Sequence, residues 1–151
     1  MKLFVIAVLA FVTLSAHTCN RKTLEAAGGD EAATGMSNIT SLVGSKWLLR
    51  SLGGNAITMP EGSDTPWVRL DQEGSKLEGF SGCNSLFGGF ELDGDKIQFP
   101  NIGGTKKYCQ EVQSTETAFL SALRSTDGFK MDGNALKLLS GDREVAALEQ
   151  E

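Results

Sequence analysis

Two cysteines 26 positions apart constrain this chain more than any other feature. Cys83 sits in the turn-like run Gly79-Phe80-Ser81-Gly82-Cys83-Asn84, and Cys109 closes Thr105-Lys106-Lys107-Tyr108-Cys109 just before a helical pattern. Their meaning depends on the compartment, which the first residues address. Lys2 precedes an almost unbroken apolar run, Leu3 to Leu14, about the length of a signal-peptide core. That run is short of the roughly 18 to 20 residues a membrane-spanning helix needs. An exported chain meets oxidising conditions, so Cys83 and Cys109 are expected to pair, clipping a glycine-rich turn to a helix start. Closing that loop stabilises a small domain by roughly 3–4 kcal/mol on the chain-entropy estimate. Two buried free thiols are the alternative.

The third cysteine, Cys19, follows Ser15-Ala16-His17-Thr18. A cysteine in this place resembles the acceptor of a bacterial lipoprotein, whose thiol receives a diacylglycerol and becomes the mature N-terminus. Ala16 and Thr18 fit loosely the Leu-like and small residues usual before such a cysteine. Lipid attachment at Cys19 is therefore the expectation, with cleavage near Ala16 or Thr18 and a soluble secreted product as the alternative. Residues 1–18 read as the signal peptide, and 19–44 as the lipidated N-terminus and a flexible tether rich in Ala, Gly, Ser, Thr and charge. The folded domain is expected to span 45–151. Without Lys2, the 14 basic and 19 acidic residues leave a formal charge of −6 on the exported part. That balance speaks against nucleic acid as a partner and against electrostatic docking on anionic lipid.

Past Ser45 the chain alternates short apolar segments with turn residues, the signature of antiparallel β structure. Strands are expected at 46–52, 67–71, 76–80, 88–92, 96–99, 128–131, 135–139 and 144–148. Between them Gly53-Gly54-Asn55, Glu73-Gly74, Asp93-Gly94, Asp132-Gly133-Asn134 and Ser140-Gly141-Asp142 supply hairpin turns. One segment breaks the two-residue period. Val112, Glu116, Phe119, Leu120 and Leu123 recur at three- and four-residue steps, which predicts a helix over 110–124. The fold class is α+β and mainly β: a strongly curved antiparallel meander, or small barrel-like sheet, of about eight strands with one helix packed against it.

Catalytic groups are scarce. The one histidine, His17, lies in the leader, so the exported part lacks imidazole for Ser-His-Asp or Cys-His catalysis and for the usual zinc sites. Cys83 as a nucleophile would need a base or a nearby cation, and only Lys106 and Lys107 offer one. The cysteine spacing is not CxxC, which gives a thioredoxin-type role little support. Asp93/Asp95 and Asp71/Glu73 flank turns, where acids bond local backbone. Calcium at Asp93-Gly94-Asp95 lacks a closing twelve-residue loop, and Gly103-Gly104 lacks the spacing of a phosphate loop. Asn84 and Asn101 read as turn residues, Asn84 with a polar ligand contact as its functional alternative. Trp47 and Trp67 read as core or rim packing, or as an aromatic platform for sugar or peptide.

Taken together, the cysteine turn and helix lead-in resemble the META domain family, also called HslJ-like, of bacterial envelope and secreted proteins. The residues that carry the resemblance are Trp47-Leu48-Leu49, then Gly82-Cys83-Asn84 with Gly88 and Phe90. Thr105 and Cys109 follow, then Glu116, Phe119, Leu120 and Leu123, and lastly Leu136 and Leu138. Gln110 departs from the pattern where a proline often follows the cysteine, and the last strand is short and Ala-rich. The resemblance implies a curved antiparallel sheet with one helix. It also implies a role linked to heat-shock and envelope-stress responses and to secretion, without an established enzyme activity or cofactor.

These readings lead to a non-enzymatic exported lipoprotein of the cell envelope, held to the membrane through Cys19. It is expected to bind or stabilise an envelope protein or a small ligand, with no metal and no cofactor. A carrier enclosing an apolar ligand among Phe80, Phe90 and Phe99 is the second reading. A hydrolase working with carboxylates alone is the third.

Overall fold

A computed structural model describes residues 40–151, so the expected signal peptide, Cys19 and most of the tether lie outside the described residues. Eleven strands follow in order: β1 (Lys46–Leu52), β2 (Asn55–Ala56), β3 (Trp67–Asp71), β4 (Lys76–Phe80), β5 (Ser85–Gly89), β6 (Glu91–Asp93), β7 (Lys96–Gln98) and β8 (Gly103–Gly104) come first. Helix α1 (Gln113–Ser125) precedes β9 (Gly128–Asp132), β10 (Ala135–Ser140) and β11 (Arg143–Gln150). The main sheet runs β8-β5-β4-β3-β1-β11-β10-β9, with β2 paired on β1, and all its ladders are antiparallel.

Alternation in the sequence becomes the two faces of this sheet. Trp47 and Leu49 of β1, Val68 and Leu70 of β3, Leu77 of β4, and Leu136 and Leu138 of β10 all point inward and are buried. Helix α1 lays Phe119, Ala122 and Leu123 into the same core and packs against β11, β10 and β1. The sheet curls without becoming a closed ladder. Its two ends are drawn together by the separate β6–β7 hairpin, where Phe129 N–H of β9 donates to Asp95 O at 2.9 Å.

The structure corrects several boundaries. The single strand expected at 88–92 is two, β5 and β6, broken at Phe90. That ring turns into the core, and its N–H donates to Ser75 O at 3.0 Å while the chain changes partners from β4 to β7. Strands β2 and β8 have two residues each, too few for a period to show. The short terminal strand expected at 144–148 is the eight-residue β11, paired with β1 on one side and β10 on the other. Helix α1 begins at Gln113 because a turn comes first, with Val112 N–H donating to Cys109 O at 3.1 Å. Finally, the packed domain extends upstream of Ser45. Leu42 is fully buried and its carbonyl accepts Trp47 Nε1–H at 2.9 Å, while Gly44 N–H donates to Leu70 O at 2.7 Å. An apolar pair, Leu42-Val43, carries no period, which is why the sequence reads as tether up to that point.

Candidate functional site

Ser81 to Asn84 form a tight turn between β4 and β5, closed by Ser81 N–H donating to Asn84 O at 2.8 Å. Gly82 takes φ of +100°, a left-handed conformation that strains residues with a Cβ. Cys83 then reaches Cys109 across the loop that leads to α1, with Cα atoms 5.9 Å apart and a disulfide between them. The expected clip is in place.

Asn84 sets the shape of the opposite loop. Its Oδ1 accepts Thr105 Oγ1–H at 2.7 Å and Lys107 N–H at 2.7 Å. Its Nδ2 donates to Lys107 O at 3.0 Å and to Glu116 Oε1 at 2.8 Å. The side chain thus holds both backbone groups of Lys107, as a strand neighbour would. Thr105 Oγ1 in turn accepts Ser85 N–H at 3.2 Å. Beneath them Ser81 Oγ accepts Asn84 N–H at 3.1 Å and donates to Glu116 Oε1. Ser81, Asn84 and Glu116 are all buried, and no buried side-chain polar atom among the described residues lacks a partner.

The sequence pattern places Asn84, Thr105 and Glu116 in one motif without saying that they touch, and it assigns Ser81 no role. The available signal was Glu116 itself, a carboxylate within the apolar stripe of α1. A buried acid requires hydrogen-bond donors, and a serine beside the cysteine turn is a suitable one. The remaining motif residues serve packing. Trp47 lies in the core, and Gly88 lets β5 pass the backbone of Pro100 and Ile102, where an added Cβ would lie 3.3 Å from Pro100 O.

Chemically the cluster is committed to itself. Glu116 is the only charged buried side chain among the described residues, and its Oε1 takes two donors. Both cysteines are bonded to each other. Lys106, Lys107 and Tyr108 face outward, Tyr108 at 76% exposure. Asp71 Oδ1 accepts Glu73 N–H at 2.9 Å, the local turn bond expected for that pair, and Asp93 and Asp95 lie exposed around the β6–β7 turn. No group of three or more His, Cys, Asp or Glu among the described residues is arranged to hold a metal ion. Asn101 adopts the left-handed conformation, at φ of +56°.

The three phenylalanines proposed to line one cavity are separated. Phe80 borders an open depression of about 530 Å³ on the outer face of the sheet, together with Trp67, Leu48 and Ser85. Phe90 borders a different one of about 740 Å³ beside Pro100 and Leu92. Phe99 is buried in the core, which Trp47, Phe119 and a set of leucines fill. The two tryptophans divide likewise, Trp47 inward with no exposure and Trp67 partly buried on the outer face.

With this geometry in view, the match to a family profile is decisive: the META domain profile covers residues 40–151. The chain belongs to the META domain family. The match takes in the turn that buries Leu42, upstream of β1. Among solved structures, this META domain is similar to an NMR structure of a protein from Burkholderia xenovorans. The TM-score is 0.60 at 26% identity, over 81% of this chain and 88% of that one. It also resembles a DUF4847 family protein from Bacteroides vulgatus in fold, with a TM-score of 0.51 at 16% identity over 76% and 96% of the two chains. No curated protein matches the chain.

Proposed function

We propose that this META domain protein is a non-enzymatic envelope component, exported and held to the membrane through lipid on Cys19, that acts by binding or stabilising other envelope molecules. The observation that carries the reading is the use made of the chain's reactive groups. Glu116 serves Ser81 and Asn84, and Cys83 and Cys109 serve each other, so the groups that could do chemistry instead hold a loop in place. Rigid loops on a stapled scaffold suit recognition, because little ordering entropy is lost when a partner binds. The carrier reading has less support, since Phe80, Phe90 and Phe99 face three different surroundings.

Mass spectrometry of the mature N-terminus tests the anchor. A diacylglyceryl adduct on Cys19 is expected, and an unmodified N-terminus at residues 17–19 would refute it. Assays against ester, phosphoester, glycoside and peptide substrates test the non-enzymatic part. Turnover that Glu116→Gln abolishes while the protein stays folded would overturn it.

A further inference from the structure

The outer face of the sheet carries a row of side chains that core formation does not explain. In register across four strands stand Leu48 of β1, Trp67 of β3, Phe80 of β4 and Ser85 of β5. Their inward neighbours Trp47, Val68 and Leu86 are buried in the core, so this second set is directed outward. Together they floor the depression of about 530 Å³, a size within the roughly 300–1,000 Å³ of small-molecule sites. One end is fixed by the stapled turn, since Ser85 follows Asn84 and its N–H is held by Thr105 Oγ1.

The polar rim selects the occupant. Lys46 Nζ lies over one face of the Trp67 ring, 5.3 Å from its centroid, and pairs with Glu151 at 2.9 Å, so the cation place on the indole is already filled from within and the other face is left for a ligand. With Glu151 paired to Lys46, the carboxylate of Asp64 on the same rim repels an anion. The side chains of Asp64, Thr65 and Ser85 have no hydrogen-bond partner among the described residues, although all three border the depression. An aromatic floor with unpaired hydroxyls and one unpaired carboxylate around it fits a neutral ligand with an apolar ring face and hydroxyls at its edge. We infer that this depression is a carbohydrate-binding site: a sugar ring lies with its C–H face on Trp67 and Phe80, and its hydroxyls bond Asp64, Thr65 and Ser85. The inference rests on the binding role proposed above and assigns its surface and ligand class.

The test is an NMR titration of the purified protein with chitotetraose, and with cellotetraose and maltotetraose to separate N-acetylated from plain glycans. Saturable shifts are expected at the Trp67 indole N–H and at Phe80 and Ser85, with the indole N–H of Trp47 unmoved. Trp67→Ala should weaken binding at least about tenfold, equivalent to about 1.4 kcal/mol. The double variant Thr65→Ala with Ser85→Ala, which keeps the ring and alters only rim hydroxyls, should weaken it severalfold and covers the case in which Trp67→Ala fails to fold. Absence of saturable shifts with all three glycans at about 10 mM, where even millimolar affinity registers, would overturn the inference. Unchanged affinity in both variants would do the same. Shifts confined to Lys106–Tyr108 would overturn this site and leave the binding role standing. Shifts at Trp67 accompanied by cleavage of the glycan would keep the site and overturn the non-catalytic reading instead.

Discussion

Replacing Asn84 with aspartate changes one heavy atom and should strongly destabilise the domain at neutral pH. The orientation of the native amide is dictated by its neighbours. Its oxygen meets two donors, Thr105 Oγ1 and Lys107 N–H, and its nitrogen meets two acceptors, Lys107 O and Glu116 Oε1. An aspartate keeps the first pair and turns the second into oxygen against oxygen, 3.0 Å from a carbonyl and 2.8 Å from a carboxylate. Two unit charges at 2.8 Å repel by about 6 kcal/mol at an effective dielectric constant of about 20. Side-chain relaxation and water entering by the exposed Lys107 reduce this, so a loss of about 3–5 kcal/mol is expected, against about 5–15 kcal/mol for a whole domain. Asn84→Ala removes the same bonds without the repulsion and should lose less, about 2–3 kcal/mol.

The sign of the pH dependence separates repulsion from simple loss of bonds. In the folded Asn84→Asp variant the introduced carboxyl faces another carboxylate, so its folded-state pKa is raised above the unfolded value of about 3.9. Its protonated form can donate to Glu116 as the amide did. The gap between variant and wild type should therefore narrow as pH falls through the raised folded value and reopen as pH rises. Urea unfolding at several pH values, with the disulfide verified intact, measures this gap at constant m-value. An Asn84→Asp variant within about 1 kcal/mol of wild type at neutral pH, or a gap that widens on acidification, would refute the account of the buried cluster.

Three further expectations follow from packing. Removing the bridge as Cys83→Ala with Cys109→Ala should cost about 3.5 kcal/mol for a separation of 26 residues, read as a lower urea midpoint; a loss under about 1 kcal/mol would deny the clip its role. Gly79→Ala puts a Cβ 2.4 Å from Trp67 O, where backbone must yield, and should cost more than about 2 kcal/mol. Gly103→Ala meets only the far edge of the Phe87 ring at 2.8 Å and should cost under about 1 kcal/mol, so equal effects in thermal melts would contradict the geometry. Trp47→Phe removes the indole N–H bonded to Leu42 O. It should speed amide exchange at Gly44 before the sheet opens, and unchanged exchange there would show the upstream turn to be held by other contacts.

Much of the fold is legible in the sequence. Segments with a clear period, such as Trp47-Leu48-Leu49-Arg50 and Leu136-Lys137-Leu138, became strands because alternate residues find one apolar side. The Asp-Gly and Gly-Gly turns fell where expected for the same local reason. Phe90 shows where this logic ends. Its place in an apolar run reads as strand interior, yet the chain breaks there because the ring has a core to enter and the backbone a new partner. Of the candidate site, the residue names were legible and the contacts among them were not.

Local pattern by itself determined that this chain forms short antiparallel strands around one amphipathic helix, with two thiols near enough along the chain to bridge. Those properties depend on neighbours one to four residues apart. Only the curled sheet decided that Ser81 and Asn84 meet Glu116 over 35 and 32 residues. Curvature likewise sent Trp47 to the core while Trp67 stayed on the outer face, although each stands within the first two residues of its strand. Which side of a strand becomes the inside depends on how its ladder bends and pairs, a property shared among distant segments and carried by no single one.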